Sequence, residues 1–209
     1  MSSDVHIAMW SGPRNVSTAL MRAWETRPDT VVVDEPLYAH YLQETGREHP
    51  GQDEIIDAYD TDWRRVVERL TGPVPGEASV FYQKHMAHHL LPEMGTDWVH
   101  DLRNAFLLRE PSAMLTSLME VLPNPTLADT GLKQQWRLFE KLHAATGTPP
   151  PVLTSRDVLT DPEAALRALC EALGVPFRDS MLSWAPGRRE SDGLWAKYWY
   201  DTVEQSTGF

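Results

Sequence analysis

The sequence predicts a three-layer α/β fold, a parallel central sheet flanked by helices. Five short apolar or β-branched runs recur along the 209 residues, and helical patterns fill the gaps between them. Parallel sheets covered on both faces produce this alternation. A chain of this length buries roughly 70% of its unfolded surface in one core. With 42% hydrophobic and 23% charged residues, it fits a soluble globular protein that needs no staples.

The strands are expected at 5–10 (VHIAMW), 30–34 (TVVVD), 79–83 (SVFYQ), 105–108 (AFLL) and 151–154 (PVLT). Leu20, Met21 and Trp24 mark a helix over 17–27, and Met114, Leu115, Leu118 and Leu122 another directly after the fourth run. A third runs from Leu132 through Trp136, Phe139 and Leu142 and stops at Gly147 before Pro149. The last has Asp161 as N-cap, Pro162 in its first turn and Gly174 as its stop. Residues 44–62 are rich in Glu, Asp, Gly and Pro, and read as a surface excursion or lid beside a site, or equally as a disordered stretch. No repeat period divides the chain, which reads as one domain over 1–209.

The formal charge of −11 repels nucleic acid and anionic lipid over the surface as a whole. Neither is an expected partner, and an anionic ligand needs a local basic cluster. The sequence holds no run of 18 apolar residues and no basic segment leading into a long apolar one, so neither a membrane span nor export is expected. The single cysteine, Cys170, allows no disulfide framework and reads as a buried inert thiol. A cytoplasmic location follows; nothing in the pattern sets an oligomeric state.

The stretch MWSGPRNVSTAL, 9–20, joins the first strand to the first helix. Its turn lies at the carboxyl edge of a parallel sheet, where such folds place ligands, and the helix start offers free N–H groups and a positive dipole end. Gly12 lets the backbone approach closely, Arg14 supplies a planar cationic fork, and Ser17 and Thr18 add hydroxyls. With Pro13, Asn15 and Val16 they make a turn suited to phosphate or sulfate. Neither the Gly-Lys of an ATP-type P-loop nor a GxGxxG fingerprint is present. The plainer alternative is an ordinary turn with Ser17 at a helix start. A second anion contact is offered in AFLLREPSAMLTSL, 105–118, where a strand ends at Arg109 and the next helix carries Ser117.

Four pieces of the chain together resemble the sulfotransferases that use 3′-phosphoadenosine 5′-phosphosulfate, PAPS. GPRNVSTAL is similar to their 5′-phosphosulfate loop, with Pro13, Arg14, Ser17 and Thr18 at matching places, Arg14 for the common lysine and Val16 for the usual glycine. LLREPSAMLTSL resembles the 3′-phosphate motif, an Arg followed eight residues later by a Ser, here Arg109 and Ser117. Residues 155–177 resemble the segment that closes the fold, and PGRRESDGLW, 186–195, loosely resembles the late basic loop over the nucleotide. The resemblance implies a P-loop-NTPase-like sulfotransferase architecture. It also implies PAPS as co-substrate with PAP as product, no required metal, and Arg188 and Arg189 as further 3′-phosphate ligands.

Sulfuryl transfer asks for a base to take the acceptor's proton and cations to stabilise charge on the oxygens. Glu35, just after the second strand, is the first candidate for the base. Lys84 and His85, read as following the third strand, resemble the Lys-Thr-His stretch of cytosolic sulfotransferases; Lys84 would stabilise leaving-group charge and His85 offers a second candidate base. Each has a plain alternative, as a turn carboxylate, a solvated lysine or a packed histidine. His85, His88 and His89 carry no HExxH pattern or obvious third ligand, so zinc is not expected. Tyr38, His40, Tyr41, Trp195, Tyr198, Trp199 and Tyr200 are available to line an acceptor pocket or a core. The expected function is sulfuryl transfer from PAPS to a hydroxyl or amine of a small-molecule acceptor. The alternatives are a transferase of the small-molecule kinase type with another phosphorylated ligand, and a non-catalytic nucleotide-binding protein.

Overall fold

The structure is a computed structural model that describes residues 4–209. Its five strands are β1 (Val5–Ser11), β2 (Thr30–Asp34), β3 (Val80–Met86), β4 (Arg103–Leu108) and β5 (Val152–Thr154), all parallel in the order β2-β3-β1-β4-β5. Consecutive parallel strands require crossovers, and the helices that supply them are α1 (Ser17–Glu25), α2 (Tyr38–Thr45), α3 (Gln52–Ala58), α4 (Trp63–Thr71), α5 (Pro111–Met119) and α6 (Leu132–Thr146); α7 (Ser155–Thr160), α8 (Pro162–Ala172), α9 (Ala196–Trp199) and α10 (Asp201–Glu204) follow the last strand.

Side-chain alternation divides the sheet between two helical layers. Ile7, Met9 and Tyr82 pack with Leu20, Met21 and Trp24 of α1 and with Leu166 and Leu169 of α8. On the other face Ala8, Trp10, Phe81 and Phe106 meet Val66 and Leu70 of α4 and Leu138 and Leu142 of α6. Burying each such large side chain contributes about 1.5–3 kcal/mol. A smaller cluster, Tyr38, Tyr41, Leu42, Ile55, Trp195 and Tyr200, ties α2 and α3 to the C-terminal helices.

The α/β layering and parallel sheet follow the expectation, and the differences have local causes. β3 runs on to Met86, because both neighbours pair with it there: Asp34 with Lys84, and Trp10 and Ser11 with His85 and Met86. Lys84 and His85 therefore lie within the strand, on opposite faces, rather than after it. α1 ends at Glu25, two residues early, and Trp136 of α6 is exposed while Leu138 takes the core position. Leu115 is likewise exposed, and Leu122 lies past the end of α5. Residues 44–62 hold the end of α2 and all of α3, an apolar anchor being provided by the fully buried Ile55. Asp161 caps α8, accepting from Ala164 N–H at 3.0 Å, and Gly174 adopts φ +64° after it. Among the described residues no helix is long and apolar enough to cross a membrane.

Candidate active site

The βα turns after β1, β2, β3 and β4 open at one sheet edge onto a cavity of about 520 Å³, within the range of roughly 300–1,000 Å³ typical of small-molecule sites. Pro13 through Thr18 line it, as do Glu35, Lys84, Arg109 and Ser117.

The first turn has the backbone features that suit an anion. Arg14 takes φ +54°, a region that costs an L-residue roughly 1–2 kcal/mol and one that occurs in backbone anion-binding nests. Asn15 holds the turn: its Oδ1 accepts Val16 N–H at 2.9 Å and its Nδ2 donates to Leu107 O at 3.1 Å. α1 begins with no side-chain cap and no acid in its first turn, so its leading N–H groups and dipole face the cavity uncompensated. Gly12 answers a packing need: an added Cβ would stand 2.7 Å from Thr130 O.

A cationic group closes one end. Arg14 Nε donates to Ser117 Oγ at 3.1 Å, and Arg109 donates to the Arg14 carbonyl. Two arginines and a hydroxyl from three separate elements thus meet at one point. Arg188 and Arg189 are elsewhere. Arg188 is exposed; Arg189 donates to Ala185 O at 2.8 Å and sits 3.9 Å from Glu25 Oε2. The loop is pinned to the side of α1 by the buried Arg22–Asp192 pair at 2.7 Å, which keeps both arginines out of the cavity.

The other end centres on Lys84. The register of β2 on β3 sets Asp34 beside Lys84, and Lys84 Nζ donates to Asp34 Oδ1 at 2.7 Å, to Glu35 Oε1 at 2.6 Å and to the Tyr200 hydroxyl oxygen at 2.7 Å. Tyr200 in turn donates to Asp34 Oδ2 at 2.6 Å, where Trp195 Nε1 also donates at 3.0 Å. Glu35 has φ +40°, and its N–H donates to Lys84 O at 2.9 Å; this curl turns its carboxylate back toward Lys84. Burial raises the Glu35 pKa, Lys84 opposes the shift and Asp34 adds to it. For Lys84, burial alone would lower the pKa, but Asp34, Glu35 and Tyr200 outweigh it and hold the ammonium well above its ordinary range.

His85 is not brought to the cavity. It lies on the opposite face of β3 from Lys84, stacked on Trp10 at 4.3 Å with Nε2 3.1 Å from Gln83 Oε1, and burial pushes its pKa down to about 3. His88 and His89 do line the cavity, with Tyr38 stacked on His89 at 4.6 Å. Of the other aromatic candidates, Tyr38, Tyr41, Trp199 and Tyr200 line it. His40 Nδ1–H donates to Thr61 O at 2.8 Å, and Tyr198 covers Gly51, where a Cβ would stand 2.6 Å from its ring.

A family model described as sulfotransferase domain matches residues 5–209. The chain belongs to that family. Branched-chain-amino-acid aminotransferase-like protein 1 of Arabidopsis thaliana is 37% identical over 211 residues, covering 100% of this chain and 37% of the relative. Its counterpart, protein 2, is 36% identical over 203 residues, 97% of this chain and 36% of its own length. The chain thus spans little more than a third of these curated relatives. Among solved structures, the sulfotransferase domain of the Synechococcus olefin synthase aligns at TM-score 0.58 and 18% identity, covering 96% of this chain and 88% of that one. The sulfotransferase domain from the curacin biosynthetic pathway aligns at 0.55 and 14%, covering 93% and 82%. A mouse sulfotransferase complexed with PAP aligns at 0.52 and 15%, covering 86% and 62%. At these identities the likeness is one of fold, and it agrees with the P-loop-like parallel sheet of this sulfotransferase domain.

Proposed function

We propose that this sulfotransferase domain moves a sulfuryl group from PAPS to a hydroxyl or amine of a small-molecule acceptor, with Glu35 as the base. The observation that carries the proposal is the pairing of Glu35 with Lys84 at 2.6 Å, at the far side of one cavity from the cradle of Arg14, Arg109 and Ser117. The uncapped start of α1 and the turn from Gly12 through Thr18 suit the 5′-phosphosulfate; Arg109 and Ser117 suit the 3′-phosphate. In the transfer, the acceptor oxygen or nitrogen forms a bond to sulfur while the bond from sulfur to the 5′-phosphate oxygen breaks. The acceptor's proton passes to Glu35 Oε2, and PAP leaves with the electron pair. Lys84 keeps Glu35 Oε1 occupied, which aims the other oxygen at the acceptor, and its charge favours negative charge developing on the transferred oxygens. No step requires a metal.

The relatives' name raises aminotransfer as a second reading, but the name belongs to proteins of which this chain matches little more than a third. A Schiff-base lysine is activated by a lowered pKa, and Lys84 is held the other way. Calorimetric titration with PAP, against ATP with Mg²⁺ and with Arg109→Ala as control, tests the proposal. PAP binding that Arg109→Ala weakens supports it; no PAP binding, or preference for ATP, removes the donor.

A further inference from the structure

The wall of the cavity beside Glu35 holds two histidines that the chemistry above does not use. His88 and His89 are 7% and 2% exposed, and the Nδ1 atoms of both are buried without a hydrogen-bond partner among the described residues. A buried polar atom left unpaired costs about 1–3 kcal/mol, and two adjacent ones in a cavity wall ask for a ligand. His89 Nδ1 stands 4.0 Å from Glu35 Oε2, too far for a mutual hydrogen bond and near enough for one oxygen atom to bridge them after a small side-chain shift. The two imidazoles are neighbours, with centroids 4.4 Å apart, and Tyr38 and Tyr41 pack against them.

The charge of this end differs from that of the cradle. Glu48 and Asp129 line the cavity here with Glu35, and Arg47 is held by Asp129 at 2.7 Å, while the lining arginines, Arg14 and Arg109, stand together at the opposite end. Burial keeps His88 and His89 neutral, His88 with a pKa of about 3. An anionic acceptor would face Glu35, Glu48 and Asp129, and the nearby cations are already committed, Lys84 to Glu35 and Asp34 and Arg47 to Asp129, so that none is left unpaired at this end among the described residues.

Resting on the sulfotransferase reading, we infer that His89 and His88 form the acceptor subsite, and that the acceptor is a hydroxyl compound without negative charge that carries a second hydrogen-bonding group beside the reacting hydroxyl. His89 Nδ1–H donates to the reacting oxygen while that oxygen's proton points to Glu35 Oε2. His88 takes the second group, and the tyrosines face the acceptor's apolar surface.

A series on one skeleton tests this: 3,4-dihydroxyphenethyl alcohol, dopamine and 3,4-dihydroxyphenylacetate, beside the single-hydroxyl 4-hydroxyphenethyl alcohol and tyramine, with PAP release from PAPS as readout. The expected result is turnover of the neutral and cationic dihydroxy compounds at least about tenfold above the acid and the single-hydroxyl compounds. His88→Phe and His88→Asn should erase the dihydroxy preference. His89→Asn should raise KM with PAP affinity unchanged. Turnover of the acid as fast as dopamine overturns the inference, as does an unchanged KM in these variants, or a PAP-binding protein that turns over none of the series. If PAP fails to bind, the donor reading falls instead. The subsite is then read from the imidazole ¹⁵N resonances of His88 and His89, which should shift with dopamine and not with the acid; resonances that dopamine leaves unmoved overturn it.

Discussion

The Lys84 ammonium joins Glu35 at 2.6 Å and Asp34 at 2.7 Å, and of the two carboxylates Glu35 is the one that lines the cavity. One cation thus serves two carboxylates with different surroundings, Asp34 saturated by Lys84, Tyr200 and Trp195, and Glu35 left with a free oxygen. Such a split is how a site assigns a structural and a reactive role to neighbouring acids.

Glu35→Gln keeps the size of the side chain and leaves Lys84 bound to Asp34 and Tyr200, so the fold should survive. PAPS-dependent turnover should fall by about 10²–10⁴-fold, with calorimetric PAP affinity unchanged. Because burial raises the Glu35 pKa, wild-type kcat should drop as pH falls through that raised value, where the base becomes protonated. The acidic limb should be missing from the residual activity of the variant. Full activity in Glu35→Gln would assign the proton to another group.

His85→Phe separates the two candidate bases and tests the cost of burying neutral histidines. His85 faces Trp10 rather than the cavity, so turnover should persist; a loss as deep as that of Glu35→Gln would make His85 the base after all. His85 and His88 have folded pKa values of about 3 against an unfolded value of about 6.5. Between these values the unfolded chain binds protons that the folded chain does not, so stability is full above the unfolded value and falls as pH drops toward the folded one. His85→Phe should flatten the dependence of unfolding free energy on pH, measured in urea between pH 4 and 6, by about 1.4 kcal/mol per pH unit. An unaltered slope would mean that His85 titrates normally.

Much of the fold and of this candidate site is legible in the sequence. Periodicity placed the sheet and the main helices, and the Ser/Thr-led turn and the Arg109–Ser117 spacing are local features that survive folding unchanged. What escaped was set by long-range pairing. Lys84 and His85 are adjacent in sequence, and only the register of β3 between β1 and β2 extends the strand through them and sends them to opposite faces. In the sequence Tyr200 is an aromatic of undecided role, since nothing in its local stretch indicates that its hydroxyl reaches Lys84. For Arg188 and Arg189 the sequence offers only a loose motif, and the Arg22–Asp192 ion pair, distant in sequence, holds their loop on α1. The spacing of His85, His88 and His89 raises only the question of a metal, because spacing reports neighbours and not the cavity that His88 and His89 line.

Arg14→Gly should separate affinity from stability. The left-handed φ of +54° at Arg14 costs an L-residue about 1–2 kcal/mol, which glycine avoids while losing more chain entropy on folding. The thermal midpoint should therefore hold or rise slightly. PAP affinity should fall by about tenfold, the scale of one charge-assisted hydrogen bond. A clear drop in the midpoint would instead make the 3.1 Å bond from Arg14 to Ser117 a strut of the fold.

Gly12→Ala should act in the opposite sense, lowering stability and affinity together. The added methyl would stand 2.7 Å from Thr130 O and 3.3 Å from Gln135 Nε2, so the carbonyl ahead of α6 or the anion turn itself must move. Overpacking of this kind costs about 1–3 kcal/mol, readable as a lower urea midpoint. Since Gly12 leads directly into Pro13 and Arg14, displacement of the turn should also weaken PAP in the same titration. A variant that loses affinity with its midpoint intact would mean that Gly12 serves close approach to the ligand rather than packing against Thr130.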